Sequence, residues 1–186
     1  MVRDFLKAFL QGTSKKKGID EQLLKVCVSG SGNLKRKMIG AFARGKFSTD
    51  YYNIHGFDIT TKGIRINDRS VKLIIVDLNP SEFFRKLRPS GYRGSSALLI
   101  VYEKSTRSSF QAVKDWFAEF SKYVSSSVPI GLVGLITNTE KVTSDEGQEL
   151  AGELGASYYE TVVDDLKCIE HIFYDLTLNA LRKKRE

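Results

Sequence analysis

Two segments of this chain leave little choice of architecture. Residues 97–103 (ALLIVYE) and 129–136 (PIGLVGLI) are continuous apolar runs, each of strand length. A strand buried on both faces reads this way, whereas a half-exposed strand alternates. Between them Phe110, Val113, Phe117, Phe120 and Val124 recur at helical spacing, which predicts a helix over 108–124. Buried strands separated by amphipathic helices specify a mostly parallel sheet covered on both faces.

The rest of the chain follows the same alternation. Residues 23–29 read as a strand and 36–44 as a helix. Residues 57–66 and 70–77 read as two strands joined through the turn signal Asn67-Asp68, which supplies one antiparallel strand. Residues 144–154 read as a helix, 157–162 as a strand and 164–183 as a closing helix. The expected fold class is therefore α/β: a six-stranded, mostly parallel sheet with one antiparallel strand and about five helices on both faces.

The first residues stand apart. Val2, Phe5, Leu6, Phe9 and Leu10 fall on one helical face, and Gly12 ends the pattern. We divide the chain into an amphipathic helix (1–12), a basic linker (13–22) and one domain (23–186).

Charge and cysteines narrow the function classes. The 186 residues carry a formal net charge of +7, in runs such as Lys15-Lys16-Lys17, Lys35-Arg36-Lys37 and Arg182-Lys183-Lys184-Arg185. These runs are not interleaved with aromatics as on a single-strand-binding face, so nucleic acid is not expected as a partner. Two roles are open to residues 1–17: the basic, amphipathic segment meets an anionic membrane surface, or its apolar face packs on the domain or on a protein partner. Cys27 and Cys168 are too few for a disulfide framework or a metal quartet. With no apolar run long enough to span a bilayer, the expected setting is cytoplasmic, peripheral on membranes at most.

One motif carries chemistry. The apolar strand runs into Gly30-Ser31-Gly32-Asn33-Leu34-Lys35-Arg36-Lys37 and then a helix, the setting of a phosphate loop. Such a loop needs glycines for close approach, a lysine for phosphates and a hydroxyl for magnesium, spaced G-x-x-x-x-G-K-[ST]. Counted from Gly30, the template puts Lys35 at the second glycine, Arg36 at the lysine and Lys37 at the hydroxyl. Three cations at a helix start oppose its dipole unless an anion is there.

From about residue 23 to 183 the chain resembles the Ras superfamily, most closely its Rab branch. The phrases that carry the resemblance are KFSTDYYNIHGFDITTKGIRINDRSVKLIIVD, GYRGSSALLIVYEKSTRSSFQAVKDWFAEF and YYETVVDDLKCIEHIFYDL, in family order. The resemblance implies the P-loop small-GTPase fold, and it implies roles station by station. Ile54 stands at the switch threonine that meets magnesium and the terminal phosphate. Asp77-Leu78-Asn79-Pro80 stands at D-x-x-G; Pro80 has no N–H to donate. Ser81 stands at the water-positioning glutamine and is too short for that task. Leu135-Ile136-Thr137-Asn138 stands at the base-reading N-K-x-D, where an Asn amide cannot replace the aspartate's two acceptors. Val162-Val163-Asp164 stands at S-A-K.

These departures set the functional expectation: a nucleotide-independent scaffold or adaptor in membrane trafficking or signalling, with no cofactor and no GTP hydrolysis. The alternative is a divergent small GTPase that binds GTP or GDP with magnesium weakly and hydrolyses slowly or not at all. The residues expected to meet a protein partner are Ile59 and Val76 (standing, with Gly91, where the Rab branch has its three effector-facing aromatics), Phe83 and Phe84 after Ser81, unless these two pack down into an empty nucleotide-side groove, and Phe5 and Phe9 on the first helix. Asp77 is expected to pair with one of the neighbouring cations.

Overall fold

The computed structural model describes residues 22–30, 32–44, 51–54, 56–125 and 127–183, the side chains of 51–54 excepted. The amphipathic helix, most of the linker, Ser31 and His55 lie outside the described residues.

In chain order the elements are β1 (Gln22–Gly30), α1 (Asn33–Ala43), β2 (Tyr51–Ile54), β3 (Phe57–Ile66), β4 (Arg69–Leu78), α2 (Arg88–Tyr92), β5 (Ala97–Glu103), α3 (Arg107–Gln111), α4 (Val113–Ser121), β6 (Ile130–Leu135), α5 (Ser144–Leu154), β7 (Ser157–Thr161) and α6 (Leu166–Lys183), with a 3-10 turn at Glu82–Phe84. They build one sheet in the order β2-β3-β4-β1-β5-β6-β7. β4, β1, β5, β6 and β7 run parallel, and β3 pairs antiparallel with β4. The expected sheet is thus present, with the four-residue β2 added at its edge, antiparallel to β3. A strand that short gives no period to read.

The β3–β4 turn forms because Asn67 adopts φ 52°, which asparagine tolerates better than most residues. The helix expected over 108–124 is present as two pieces, α3 and α4, parted at Ala112. The single-turn α2, with Pro89 and Gly91 inside it, escapes a propensity reading. Tertiary contacts hold it instead. Arg88 is buried and reaches Glu119 at 3.0 Å, Glu82 at 3.3 Å and the Trp116 ring at 4.6 Å.

The sheet has a core on each face. Leu24, Val26 and Val28 of β1 point to the side covered by α1 and α6, where Phe42 stacks on Phe173 at 4.0 Å. Cys27 points the other way, toward Tyr92, Trp116, Phe120 and Leu150. This alternation within a continuous apolar run is what two-sided burial requires.

A buried polar cluster ties β5 to β7 and α5. The Lys104 ammonium, on a side chain only 2% exposed, lies 2.7 Å from Glu160 and 3.1 Å from Glu140. Burial works to raise the Glu160 carboxyl, but donors on Lys104, Tyr158 and Ser144 together hold it below its ordinary range. A lowered carboxyl contributes stability that is complete above the unfolded carboxyl range and is lost as pH falls through the lowered value. Lys104→Met removes the main donor and leaves Glu160 with only the Tyr158 and Ser144 hydroxyls, so it is expected to cost about 1–3 kcal/mol in urea unfolding at neutral pH. The loss should shrink as pH falls and Glu160 protonates.

Candidate functional site

β1 ends on a glycine for a steric reason. Gly30 has φ +118°, and a Cβ there would stand 1.9 Å from the carbonyl oxygen of Val101 on β5. Gly32 has φ +106°, and its Cβ would stand 2.1 Å from Glu103 Oε1. These two glycines turn the chain directly into α1, which begins at Asn33, three residues before the expected start at 36. Gly32 caps the helix with no side-chain hydrogen bond, and no acidic residue lies in the first turn. The part-buried amide of Leu34 donates instead to Glu103 Oε1 at 3.2 Å. An anion at this position satisfies an orphan N–H and the helix dipole together.

The cation that points inward is the one before that named by the template. Lys35 is buried; its Nζ lies 2.6 Å from Asp77 Oδ1 and donates to the Leu78 carbonyl at 2.5 Å. The template had placed Lys35 at a glycine and Arg36 at the lysine. In the structure Lys35 is the cation that enters, and the spacing falls one residue out of step with the geometry. Arg36 stays on the rim, its side chain 68% exposed, and reaches Asp58 at 3.1 Å and Asp77 at 3.9 Å. Lys37, also exposed, lines a groove of about 600 Å³ with Arg36, Arg44, Asp58, Thr60 and Asp77. Arg36, rather than Lys37, is the second cation at Asp77.

Asp77 and Asp58 face each other across the β4–β3 ladder. Two carboxylates directly opposite repel, so the two cations are needed to hold them. Burial pushes the Asp77 carboxyl up; Lys35 foremost, then Arg36, pull it down, and Asp58 adds to the rise. The expected pairing of Asp77 with a neighbouring cation is therefore met by Lys35.

The remaining stations sit on the same edge. Register places Gly30 beside Val101, Glu103 beside Leu135, and Leu135 beside Thr161. The phosphate-loop turn, Glu103, the 135–138 loop and the 162–164 loop thus line the carboxyl ends of parallel strands. The chain leaves β1 toward β4 and β3 and returns on its other side at β5, so the β1–β5 gap is the topological switch point, where open α/β sheets bind ligands. Asn138 is exposed in the loop after β6, beside a Thr137 hydroxyl that donates to Thr139 O at 3.0 Å. Val162 is exposed as well. Pro80 is exposed, and the Ser81 N–H donates to Asn79 Oδ1 at 2.9 Å, so the loop satisfies itself. Ile54 is in the ladder opposite Phe57.

The partner residues divide. Ile59 and Val76 are fully buried and cannot meet a partner as expected. Both belong to the core on this face of the sheet, and over Val76 α2 lies so closely that a Cβ on Gly91 would stand 2.5 Å from Leu78 and 3.5 Å from Val76. Phe83 is 85% exposed, and Phe84, half-buried, meets it edge-on at 4.9 Å. Phe5 and Phe9 lie outside the described residues. Asp58 and Glu103 were not singled out from the sequence. The only signal for Glu103 is its place as the last residue of a buried parallel strand.

Comparison with known proteins agrees with this geometry. The model of the Ras family matches residues 25–182. The chain is 29% identical over 159 residues to the Ras-related protein SEC4 of Saccharomyces cerevisiae, covering 84% of this chain and 74% of that protein. It is 29% identical over 161 residues to the Ras-related protein RAB1BV of Beta vulgaris, covering 84% and 75%. It is 27% identical over 171 residues to the Ras-related protein RABE1e of Arabidopsis thaliana, covering 89% and 78%. These matches overturn the expectation that no cofactor is involved, because guanine nucleotide with magnesium is the cofactor of this family. They favour the divergent small GTPase over the nucleotide-independent scaffold. From the glycine turn to the closing helix, this chain belongs to the Ras family.

Proposed function

We propose that this chain is a divergent small GTPase of the Rab/Sec4 type that holds GTP or GDP weakly and hydrolyses GTP slowly or not at all. The observation that carries the reading is the Gly30–Lys35 turn. Two positive-φ glycines bring backbone N–H groups to the switch point, and a buried lysine stands behind them. That set fits a diphosphate: donors at a helix start plus one ammonium. Weakness follows from the other stations. Pro80 offers no N–H, Asn138 offers one acceptor, and each contact so lost costs about 1–3 kcal/mol. At about 1.4 kcal/mol per decade, these two losses weaken a nanomolar site by roughly one to four decades, toward the micromolar range. Slow hydrolysis follows from Ser81, which cannot reach a water beside the terminal phosphate.

Magnesium in such sites rests on one or two carboxylates together with the phosphates. Asp77 and Asp58 would be the carboxylates to hold it, and both now pair with the Arg36 guanidinium, which would compete with the ion for them. Arg36→Thr is therefore expected to make magnesium strengthen GDP binding about tenfold more than it does in the wild type, a difference of ~1.4 kcal/mol. Isothermal titration with GDP, GTP and ADP tests the main reading. Micromolar binding of GDP and GTP with ADP weaker supports it; equal affinity for ADP, or none for any, contradicts it.

The Rab and Sec4 relationship supports a role in membrane trafficking, peripheral on membranes. Residues 1–17 would meet an anionic surface and the exposed Phe83, with Phe84, a protein partner. Among the described residues no helix is long and apolar enough to cross a membrane. Co-sedimentation with anionic vesicles should drop when residues 1–17 are deleted; unchanged binding would remove that contact.

A further inference from the structure

We propose that the Glu103 carboxylate is a built-in competitor for the phosphate position: it seats on the amino end of α1 and must withdraw for nucleotide to bind. The inference rests on the reading above that the Gly30–Lys35 turn takes nucleotide phosphate.

Glu103 ends β5 at the switch point, one strand from the turn. Its Oε1 accepts the Leu34 N–H at 3.2 Å, a donor at the start of α1. The same oxygen occupies the space a Cβ on Gly32 would need, so the glycine admits the carboxylate as it would admit a ligand oxygen. α1 supplies neither a capping side chain nor an acidic residue in its first turn. The Glu103 carboxylate therefore meets the positive end of the helix dipole in their place.

Only the side chain is needed for this contact. The Glu103 backbone is held separately: its N–H donates to Ser109 Oγ at 3.0 Å and its carbonyl accepts from that hydroxyl at 3.0 Å. The carboxylate can therefore swing away without disturbing β5. A phosphate and a carboxylate cannot share the Leu34 donor, and their like charges repel at this distance. Seated, Glu103 lowers nucleotide affinity; withdrawn, it frees the cradle.

The test compares GDP titrations of the wild type, Glu103→Gln and Glu103→Ala, with thermal unfolding of each protein with and without GDP. Glu103→Gln keeps the shape and removes the charge, which guards against a packing defect in the alanine variant. Both variants are expected to bind GDP at least tenfold more tightly. Their melting temperatures should be lower than wild type without GDP and rise further on adding it. A purely structural carboxylate would lower the melting temperature without improving GDP affinity, and that result overturns the inference while leaving nucleotide binding intact. If neither the wild type nor a variant binds GDP at millimolar concentration, the nucleotide reading falls and takes this inference with it.

Discussion

Gly30→Ala is expected to destabilise the domain by about 4 kcal/mol. Two effects add. A non-glycine residue at φ +118° carries backbone strain of about 1–3 kcal/mol. The new Cβ would also stand 1.9 Å from the Val101 carbonyl oxygen, where no flexible side chain can yield. β1 and β5 would have to part, and forcing apart packed elements costs about 1–3 kcal/mol more. Gly40→Ala is the internal control. It lies within α1, φ is not positive, and nothing stands within 4 Å of its Cβ position. Alanine there should stabilise by about 0.5–1 kcal/mol through the unfolded state. Two identical substitutions ten residues apart should thus move stability in opposite directions. Urea unfolding followed by the fluorescence of the buried Trp116 reads both.

Lys35→Met should be comparably severe, for an electrostatic reason. It leaves Asp77 buried, opposite Asp58 in the ladder, with only the rim cation Arg36 nearby. Removing one partner of a buried pair costs about 3–5 kcal/mol, chiefly through the charge left behind. The pH dependence follows in sign. Without Lys35 the Asp77 carboxyl rises further, and a raised carboxyl destabilises most above its own value. The penalty should therefore fade as pH drops and Asp77 takes up a proton. The double variant Lys35→Met/Asp77→Asn should recover most of the stability, because no buried charge remains. It should not recover GDP binding, since the cation behind the phosphates is gone. A double variant as unstable as the single one would show that Lys35 acts through packing.

The architecture was legible because burial writes itself into long patterns. ALLIVYE and PIGLVGLI could hardly be anything but central strands, and the 3.6-residue period of the closing helix is kept over five turns. Short elements were not legible. β2 and α2 are four and five residues long, and both exist through neighbours rather than through their own propensity. The site was legible as a turn but not as a register. The template was anchored on Gly30, so it assigned Arg36 to the lysine position. Anchored one residue earlier, on Ser29, the same spacing puts Lys35 there, the cation that the structure turns inward. Glu103 carries no motif, because its role depends on the start of a helix 69 residues away in sequence. Ile59 and Val76 were misread for the same reason: their burial depends on elements distant in sequence, for Val76 on how closely Gly91 lets α2 approach.

Backbone amide shifts on adding GDP to the full chain test the central claim most directly. If the glycine turn holds the phosphates, the largest shifts fall on Gly32, Asn33, Leu34 and Lys35, and they saturate at micromolar to low-millimolar GDP. Shifts confined to another surface, or amides at 32–35 that stay unmoved while GDP binds, would contradict it.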